Sequence, residues 1–317
     1  MRLLAAPDKF RGTLTAREAA AAIAAGAART GWDAVELPLA DGGEGTLDVL
    51  GGGNRSTVVT GPLADPVEAA WRLEEDGTAL IEAAQACGLT LAGGPDRNDP
   101  LAATSRGVGE LVAAAVAEGA QRIVVTVGGV ASTDGGAAAV EALPAALPPL
   151  EVACDVDARF LDAADVFASQ KGATPEQVEI LRRRLAQLDV PDLPGAGAAG
   201  GLAGGLAARG ARLSPGFDLV AQRLGFDHHL AAADLLVTGE GRLDATSVTG
   251  KVVGRALERA AAAGVAALVV AGEVAAESGI DAISLVERYG PGRAFGDPAE
   301  CIAEVVEIAL ATRQNGP

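Results

Sequence analysis

Lysine is almost missing from this 317-residue chain: of 25 basic residues only Lys9, Lys171 and Lys251 are Lys, and the rest are Arg. Basic residues as a whole are also short, since 42 Asp and Glu leave a net charge of −17. A surface of that sign repels phosphate backbones and anionic lipid, which excludes general nucleic-acid and membrane binding. A small anionic ligand then needs a local basic pocket. Cysteine is scarce: Cys87, Cys154 and Cys301 are odd in number, far apart and form no Cys-x-x-Cys pair. That excludes a disulfide framework and a zinc site, and it fits a reducing cytoplasm. Cys87 and Cys154 read as small buried hydrophobes rather than nucleophiles. The only histidines are the adjacent His228 and His229, and neighbours on a helix point about 100° apart, so neither a metal pair nor a triad is indicated. No stretch approaches ~20 uninterrupted apolar residues. Pro7 and Asp8 interrupt the opening apolar residues before a signal-peptide core forms. A soluble, cytoplasmic protein is expected, with the Asn54-Arg55-Ser56 sequon a chance occurrence.

What is present is a globular composition, 49% hydrophobic and 21% charged, long enough at ~150 residues per domain for two domains. Arg2 to Ala6 reads as a strand, Pro7 to Gly12 as a loop, and Thr15 with Glu18 as a capping box opening an Ala-rich helix. A second apolar run, Ala34 to Ala40, ends in Asp41-Gly42-Gly43-Glu44-Gly45-Thr46. The grammar returns late in the chain, with runs at Leu235 to Thr238, Ala266 to Ala271 and Ala282 to Val286 separated by helical stretches near 249–263 and 298–312. Five such strands in one parallel sheet favour a flavodoxin-like order, with functional loops after the first three. Between the groups lie other β-like runs (Ser56 to Val59, Ala79 to Ile81, Arg122 to Val127, Val152 to Asp155) and a helix at 106–118. The expected fold class is therefore α/β: a flavodoxin-like parallel-sheet domain, 1–50 and 215–317, with a second α/β domain, 51–214, inserted into it and an active-site cleft between the two.

The chemistry-bearing residues cluster in glycine-rich loops. Each lysine sits beside one, where a compact ammonium reaches a phosphate more easily than a forked guanidinium; three ordinary surface lysines are the alternative. In Asp41 to Thr46, glycines let backbone N–H groups approach an oxyanion, and Asp41 offers hard oxygens for a proton or Mg²⁺. The same spacing equally fits an Asp41 helix cap with Glu44 as its capping-box partner. Val127 to Gly136 has the composition of an anion cradle, or of a tight turn needing glycine for geometry. Thr238-Gly239-Glu240-Gly241-Arg242-Leu243-Asp244 is a third loop of this kind, leading to Gly250-Lys251. A Walker reading of that pair fails, because Val252 replaces the Ser/Thr and Ala245 the leading Gly. The Gly-x-Gly-x-x-Gly of Gly195, Gly197 and Gly200 follows no convincing strand and reads as a flexible helix entry rather than a dinucleotide site.

Taken in order, these segments resemble the bacterial ATP-dependent glycerate kinase family, of the glycerate 2-kinase type. The likeness rests on Ala6-Pro7-Asp8-Lys9-Phe10-Arg11-Gly12-Thr13-Leu14, Ala40 to Thr46, Thr60-Gly61-Pro62-Leu63 and Thr104 to Leu111. It continues through Gly128-Gly129 to Asp134-Gly135-Gly136, Cys154-Asp155-Val156, Gln170-Lys171-Gly172-Ala173, Pro194 to Gly201, and Thr238 to Asp244 with Gly250-Lys251. The chain departs from the family pattern at Lys9, Arg11, Val130, Thr133 and 157–161, and is shortened near 143–161 and after 272. The resemblance implies transfer of the ATP γ-phosphoryl group to a hydroxyl of D-glycerate, 2-phosphoglycerate being the favoured product. A kinase of a related hydroxy acid and a non-catalytic nucleotide-binding paralogue are the alternatives.

Within it, residue chemistry assigns the catalytic set Asp8, Lys9, Arg11, Asp41, Asp155 and Lys171. Lys9 and Arg11 would hold the carboxylate or phosphoryl group, Asp41 or Asp155 would orient the hydroxyl, and Lys171 and Lys251 would neutralise phosphate. The nucleotide-binding set is Gly42, Gly43, Glu44, Gly128, Gly129, Asp134, Gly239, Glu240, Arg242 and Lys251, with Asp41 and Asp134 as Mg²⁺ ligands. ATP and Mg²⁺ are the expected cofactors, and the protein is expected to act as a monomer or homodimer.

Overall fold

The computed structural model describes residues 1–10, 12–248 and 251–314. Arg11 lies outside the described residues, as do Thr249 and Gly250. Residue contacts gather into two compact units, one built from Met1–Asp41 and Val220–Pro317, the other from Gly42–Leu219. The strands in chain order are β1 Arg2–Ala5, β2 Asp33–Glu36, β3 Arg55–Thr60, β4 Pro66–Leu73, β5 Thr78–Glu82, β6 Arg122–Thr126, β7 Leu150–Cys154, β8 Arg212–Pro215, β9 Leu235–Leu243, β10 Ala266–Val274 and β11 Ile283–Ser284.

The first unit carries a five-stranded sheet in the order β11-β10-β9-β1-β2, every pair parallel. Counted along this unit alone the order is second, first, third, fourth, fifth, the flavodoxin-like arrangement that the sequence predicts. A parallel sheet is covered on both faces, so its central strands are apolar at successive positions rather than alternating. Leu3 and Ala5 of β1 pack with Ile23, Val237, Val270, Ile302 and Val306. Over another part of the sheet, Leu243, Val253, Val269 and Ala271 form a separate cluster. The Ala16–Ala28 helix begins in the expected capping box: Thr15 Oγ1 accepts from Glu18 N–H at 3.2 Å and Glu18 accepts from Thr15 N–H at 2.8 Å.

Two elements differ from expectation. The run Gly239 to Leu243, expected as a loop, continues β9 beside β10, with Gly239 opposite Val270 and Leu243 opposite Val274. The closing strand is only Ile283–Ser284, because Ser284 caps the Leu285–Tyr289 helix by accepting from Glu287 N–H at 3.2 Å.

The second unit holds a six-stranded sheet, β3-β4-β5-β6-β7-β8, antiparallel from β3 to β5 and parallel from β5 to β8. Strands β4 and β8 have no counterpart in the sequence expectations. Pro66 tolerates its place in β4 because it is the first residue of the strand. Trp71 of β4 is fully buried, and its indole N–H donates across to Thr57 Oγ1 at 3.0 Å. It packs with Ile81, Leu111, Val125 and Val152 in the core of this unit. Gly195 to Gly200 leads into the Leu202–Ala208 helix as expected, but Ala196, Ala198 and Gly200 are buried there, so this helix entry is a packed part of the core.

Two helical glycines separate propensity from packing. Alanine in an open helix position is worth ~1 kcal/mol over glycine. A Cβ on Gly292 meets nothing within 4 Å, whereas one on Gly26 would fall on the carbonyl oxygen of Ala303 in the Pro298–Gln314 helix. Overpacking against backbone costs about 1–3 kcal/mol and outweighs the gain. Chemical denaturation is therefore expected to show Gly292→Ala stabilised by up to about 1 kcal/mol and Gly26→Ala destabilised by about 1–2 kcal/mol.

Candidate active site

In the first unit the carboxyl ends of β1, β2 and β9 carry the candidate residues, and backbone pairing continues past the strands. Asp8 N–H donates to Gly239 O at 2.8 Å, and Leu39 N–H to Pro7 O at 2.9 Å. Asp8 and Glu240 are thus brought up on neighbouring strands at the point where the strand order reverses, the usual ligand crevice of such sheets. Asp8 Oδ1 accepts from Lys9 N–H at 2.7 Å. Burial, the Asp41 carboxylate and the Glu240 carboxylate together push the Asp8 carboxyl up to about 7, against the pull of Lys9. Glu240 is also raised, first by burial, while a hydrogen bond from Ser247 and the charge of Lys251 oppose the shift. Ser247 is fully buried and accepts from Asp244 N–H at 3.1 Å. Lys251, at the cap of the Val252–Ala263 helix, lies 3.8 Å from Asp244.

Five of the expected residues therefore gather here: Asp8, Lys9, Asp41, Glu240 and Lys251. Gly239 belongs to the backbone of this site for a different reason from the one its composition suggests. A Cβ there would run into Val270 O, so the glycine serves strand pairing. Arg242 points outward, largely exposed and 3.9 Å from Glu273.

In the second unit the glycine-rich turns meet each other. Gly42 and Gly45 have φ of +88° and +94°, a region that favours glycine. A Cβ on Gly128 would fall on Gly43 Cα, and one on Gly129 would lie 3.4 Å from Glu44 Cβ. The cap of the short Thr46–Val49 helix is Gly45, so neither Asp41 nor Glu44 acts as the cap that their spacing also allows. The amides of this turn are met instead by Glu82, at the end of β5, which accepts from Gly45 N–H at 3.1 Å and Leu47 N–H at 2.9 Å. Sequence reasoning missed Glu82. The available signal was a lone carboxylate directly after the apolar run Ala79-Leu80-Ile81.

Asp155 and Asp134 are half-buried and Lys171 is buried, and all three bond to the protein itself. Asp155 Oδ1 accepts from Gly216 and Phe217 N–H at 2.8 and 3.3 Å. Asp134 accepts through Oδ2 from the Ser105 N–H at 2.9 Å and hydroxyl at 2.8 Å, and through Oδ1 from Gly136 N–H at 3.1 Å. Both of its oxygens accept hydrogen bonds within the protein. Among the described residues no three His, Cys, Asp or Glu converge to hold a metal.

The Lys171 ammonium is only 4% exposed; it donates to Ser132 O at 2.5 Å and lies 3.5 Å from Thr133 Oγ1. Its backbone carbonyl accepts from Asn98 Nδ2 at 2.8 Å. Burial pulls its pKa down to about 8, with Cys87 and Asp134 opposing. Of the cysteines, Cys87 is buried and its thiol pushed far up; Cys154 is raised to about 11, in both cases mainly by burial, so neither is an activated nucleophile.

The fold defines a two-unit α/β protein, with carboxylates at the strand ends of one unit and glycine-rich turns in the other. The glycerate kinase family model matches residues 3–148 and 148–288. The chain is 36% identical to the glycerate 2-kinase of Escherichia coli over 93% of this chain and 90% of that one. It is 36% identical to the glycerate kinase of Bacillus subtilis over 97% and 95%. A crystal structure of a "putative glycerate kinase 2" from Salmonella typhimurium LT2 superposes with a TM-score of 0.82 at 33% identity, covering 100% of this chain and 99% of that one. The chain belongs to the glycerate kinase family. No helix among the described residues is long and apolar enough to cross a membrane.

The lowered Lys171 pKa has a defined thermodynamic sign. Between about pH 8 and 10.5 the unfolded chain holds a proton that the folded chain has released, so folding gains stability as pH rises through that window. At about 1.4 kcal/mol per unit the gain is on the order of 3 kcal/mol. Ionisation of the raised Cys87 acts in the opposite direction, but it is common to both proteins compared. Denaturant titrations of wild type and Lys171→Met at pH 7.5 and 10 should show the difference shifting toward wild type by this order; a constant difference would exclude a buried lysine with a depressed pKa.

Proposed function

We propose that this protein transfers the γ-phosphoryl group of ATP, in the presence of Mg²⁺, to the 2-hydroxyl of D-glycerate, giving 2-phosphoglycerate and ADP. The observation that carries the chemistry is Asp8, a carboxyl at the end of a central strand whose pKa is pushed to about 7 by burial, Asp41 and Glu240. A base poised near the working pH combines sufficient basicity with an adequate ionised fraction. The ionised Asp8 accepts the hydroxyl proton as the substrate oxygen bonds to the γ-phosphorus. The bond from that phosphorus to the β–γ bridging oxygen breaks, and ADP leaves with the electron pair.

Lys9, adjacent in the chain and already interacting electrostatically with Asp8, holds the substrate carboxylate. Lys251, at a helix N-terminus, meets phosphate charge, where the helix dipole adds to its own. Mg²⁺, when bound, spreads the charge of the phosphate oxygens, and Asp41 is the candidate carboxylate that fits it. Glycerate as acceptor is supported by family membership and by what the E. coli and B. subtilis relatives are named for.

Coupled ADP release with ATP, Mg²⁺ and D-glycerate should show turnover dependent on all three. The product should feed enolase directly, without phosphoglycerate mutase. Because Asp8 acts ionised and its pKa is raised to about 7, kcat/KM should rise with pH through an acid limb near 7. Asp8→Asn should lose that limb and about 10²-fold or more of kcat. No turnover across a panel of small hydroxy acids would refute the kinase reading, and product that requires the mutase would refute the 2-hydroxyl.

A further inference from the structure

The turn Gly42 to Thr46 has an anchor that its own sequence does not contain. Helix starts are ordinarily capped by a local Ser, Thr, Asp or Asn side chain. Here the cap position is Gly45, held at φ +94° with no side chain to offer. The acceptor comes from β5, 37 residues away, as the two oxygens of Glu82 on the N–H groups of Gly45 and Leu47. Glu82 is 2% exposed in a strand whose five residues are all buried. Burying a carboxylate carries a large desolvation penalty unless charge-assisted hydrogen bonds offset it. A local Asp or Ser cap would meet the same amides with far less desolvation, so stability alone does not account for a buried glutamate.

What the remote anchor provides is position. The turn is wedged where Gly43 Cα meets Gly128, with Glu44 lying along Gly129. Thr46 Oγ1 donates back to Gly43 O at 2.6 Å and closes the turn on itself. Fixing Gly45 and Leu47 to the end of β5 therefore fixes the height of the turn against the 128–129 backbone, and with it the direction of the Gly42 and Gly43 amides.

We infer that Glu82 is a positioning residue that holds the Gly42–Thr46 turn in register with the Gly128–Gly129 turn for nucleotide binding. This rests on the reading of these glycines as the nucleotide-binding turns. Glu82→Gln keeps the volume but sets an amide NH₂ against a backbone N–H, and Thr46→Val loosens the same turn while leaving the buried carboxylate in place.

The test combines hydrogen–deuterium exchange over the segment containing Gly45 to Leu47, calorimetry with ATP–Mg²⁺, and steady-state kinetics, all on the full chain. Glu82→Gln should speed exchange in that segment at least tenfold and weaken ATP binding about tenfold. The KM for D-glycerate should change less than twofold, and Thr46→Val should move the same quantities in the same direction by less. Unchanged exchange, or faster exchange with ATP affinity within twofold of wild type, overturns the inference. If Glu82→Gln does not fold, Thr46→Val decides by the same criteria. Wild type that binds ATP but shows no glycerate-dependent turnover would refute the proposed reaction, while the binding and exchange measurements would still decide the role of Glu82.

Discussion

The turns of the second unit depend on one close approach of bare backbone, Gly43 against Gly128. Cβ atoms keep about a van der Waals distance from their neighbours, and none fits where Gly128 faces Gly43 Cα. Once two chain segments come that close, no side chain can reach between them to satisfy their amides. The partners must arrive from beneath. This explains why Glu82 ends β5, and why Thr46 turns its hydroxyl back to Gly43 O. Asp155 plays the equivalent part for Gly216 and Phe217, beside which Gly42 also packs: a Cβ on Gly42 would lie 3.1 Å from Gly216 Cα.

The first unit solves a different problem at its strand ends. Its backbone ladder runs on past β1 through Asp8 N–H to Gly239 O, so main-chain groups there satisfy one another. The result is an accumulation of charge of one sign. The Asp41 and Glu240 carboxylates raise the proton affinity of Asp8, and Asp244 and Asp41 raise that of Glu240, an arrangement unfavourable for the folded protein of the kind that clusters at functional sites. A proton or a cation at this place relieves the repulsion, which ties ligand binding to electrostatic stability within that unit.

How far the sequence was legible follows from where the physics is local. The flavodoxin-like order was readable because a doubly covered parallel sheet writes itself as apolar runs, and the Thr15–Glu18 box because both partners lie within one turn. Strand β4 was not readable: Pro66-Val67-Glu68-Ala69-Ala70-Trp71 has little β-branched content and is held by pairing with β3, not by propensity. Gly239 to Leu243 reads as a loop from its glycines, yet β10 lies so close that only glycine suits the strand at Gly239. The site residues divide the same way. That Asp8, Lys9, Asp41 and Glu240 come together was legible because strand-end loops of a parallel sheet converge. Asp134 was read as a nucleotide and Mg²⁺ residue and Lys171 as a catalytic one, and the bonds they make to Ser105 and Ser132 depend on tertiary structure that the sequence does not display.

Lys171 and Glu82 are the two charged residues most deeply buried among those described, and both belong to the second unit. Two opposite charges inside one domain invite a salt bridge, yet each is bound to main chain: Lys171 to a carbonyl, Glu82 to amides. A salt bridge would satisfy side chains and leave the turns to find their own partners. Binding each charge to backbone does the reverse, using the strength of a charge-assisted bond to hold loops that have too few side chains to pack. Glycine-rich turns gain close approach by giving up side-chain contacts, and the contacts they give up must be replaced by something strong and remote. In this protein a buried ammonium and a buried carboxylate fill that role, and the scarcity of lysine makes the retention of one in the interior the more telling.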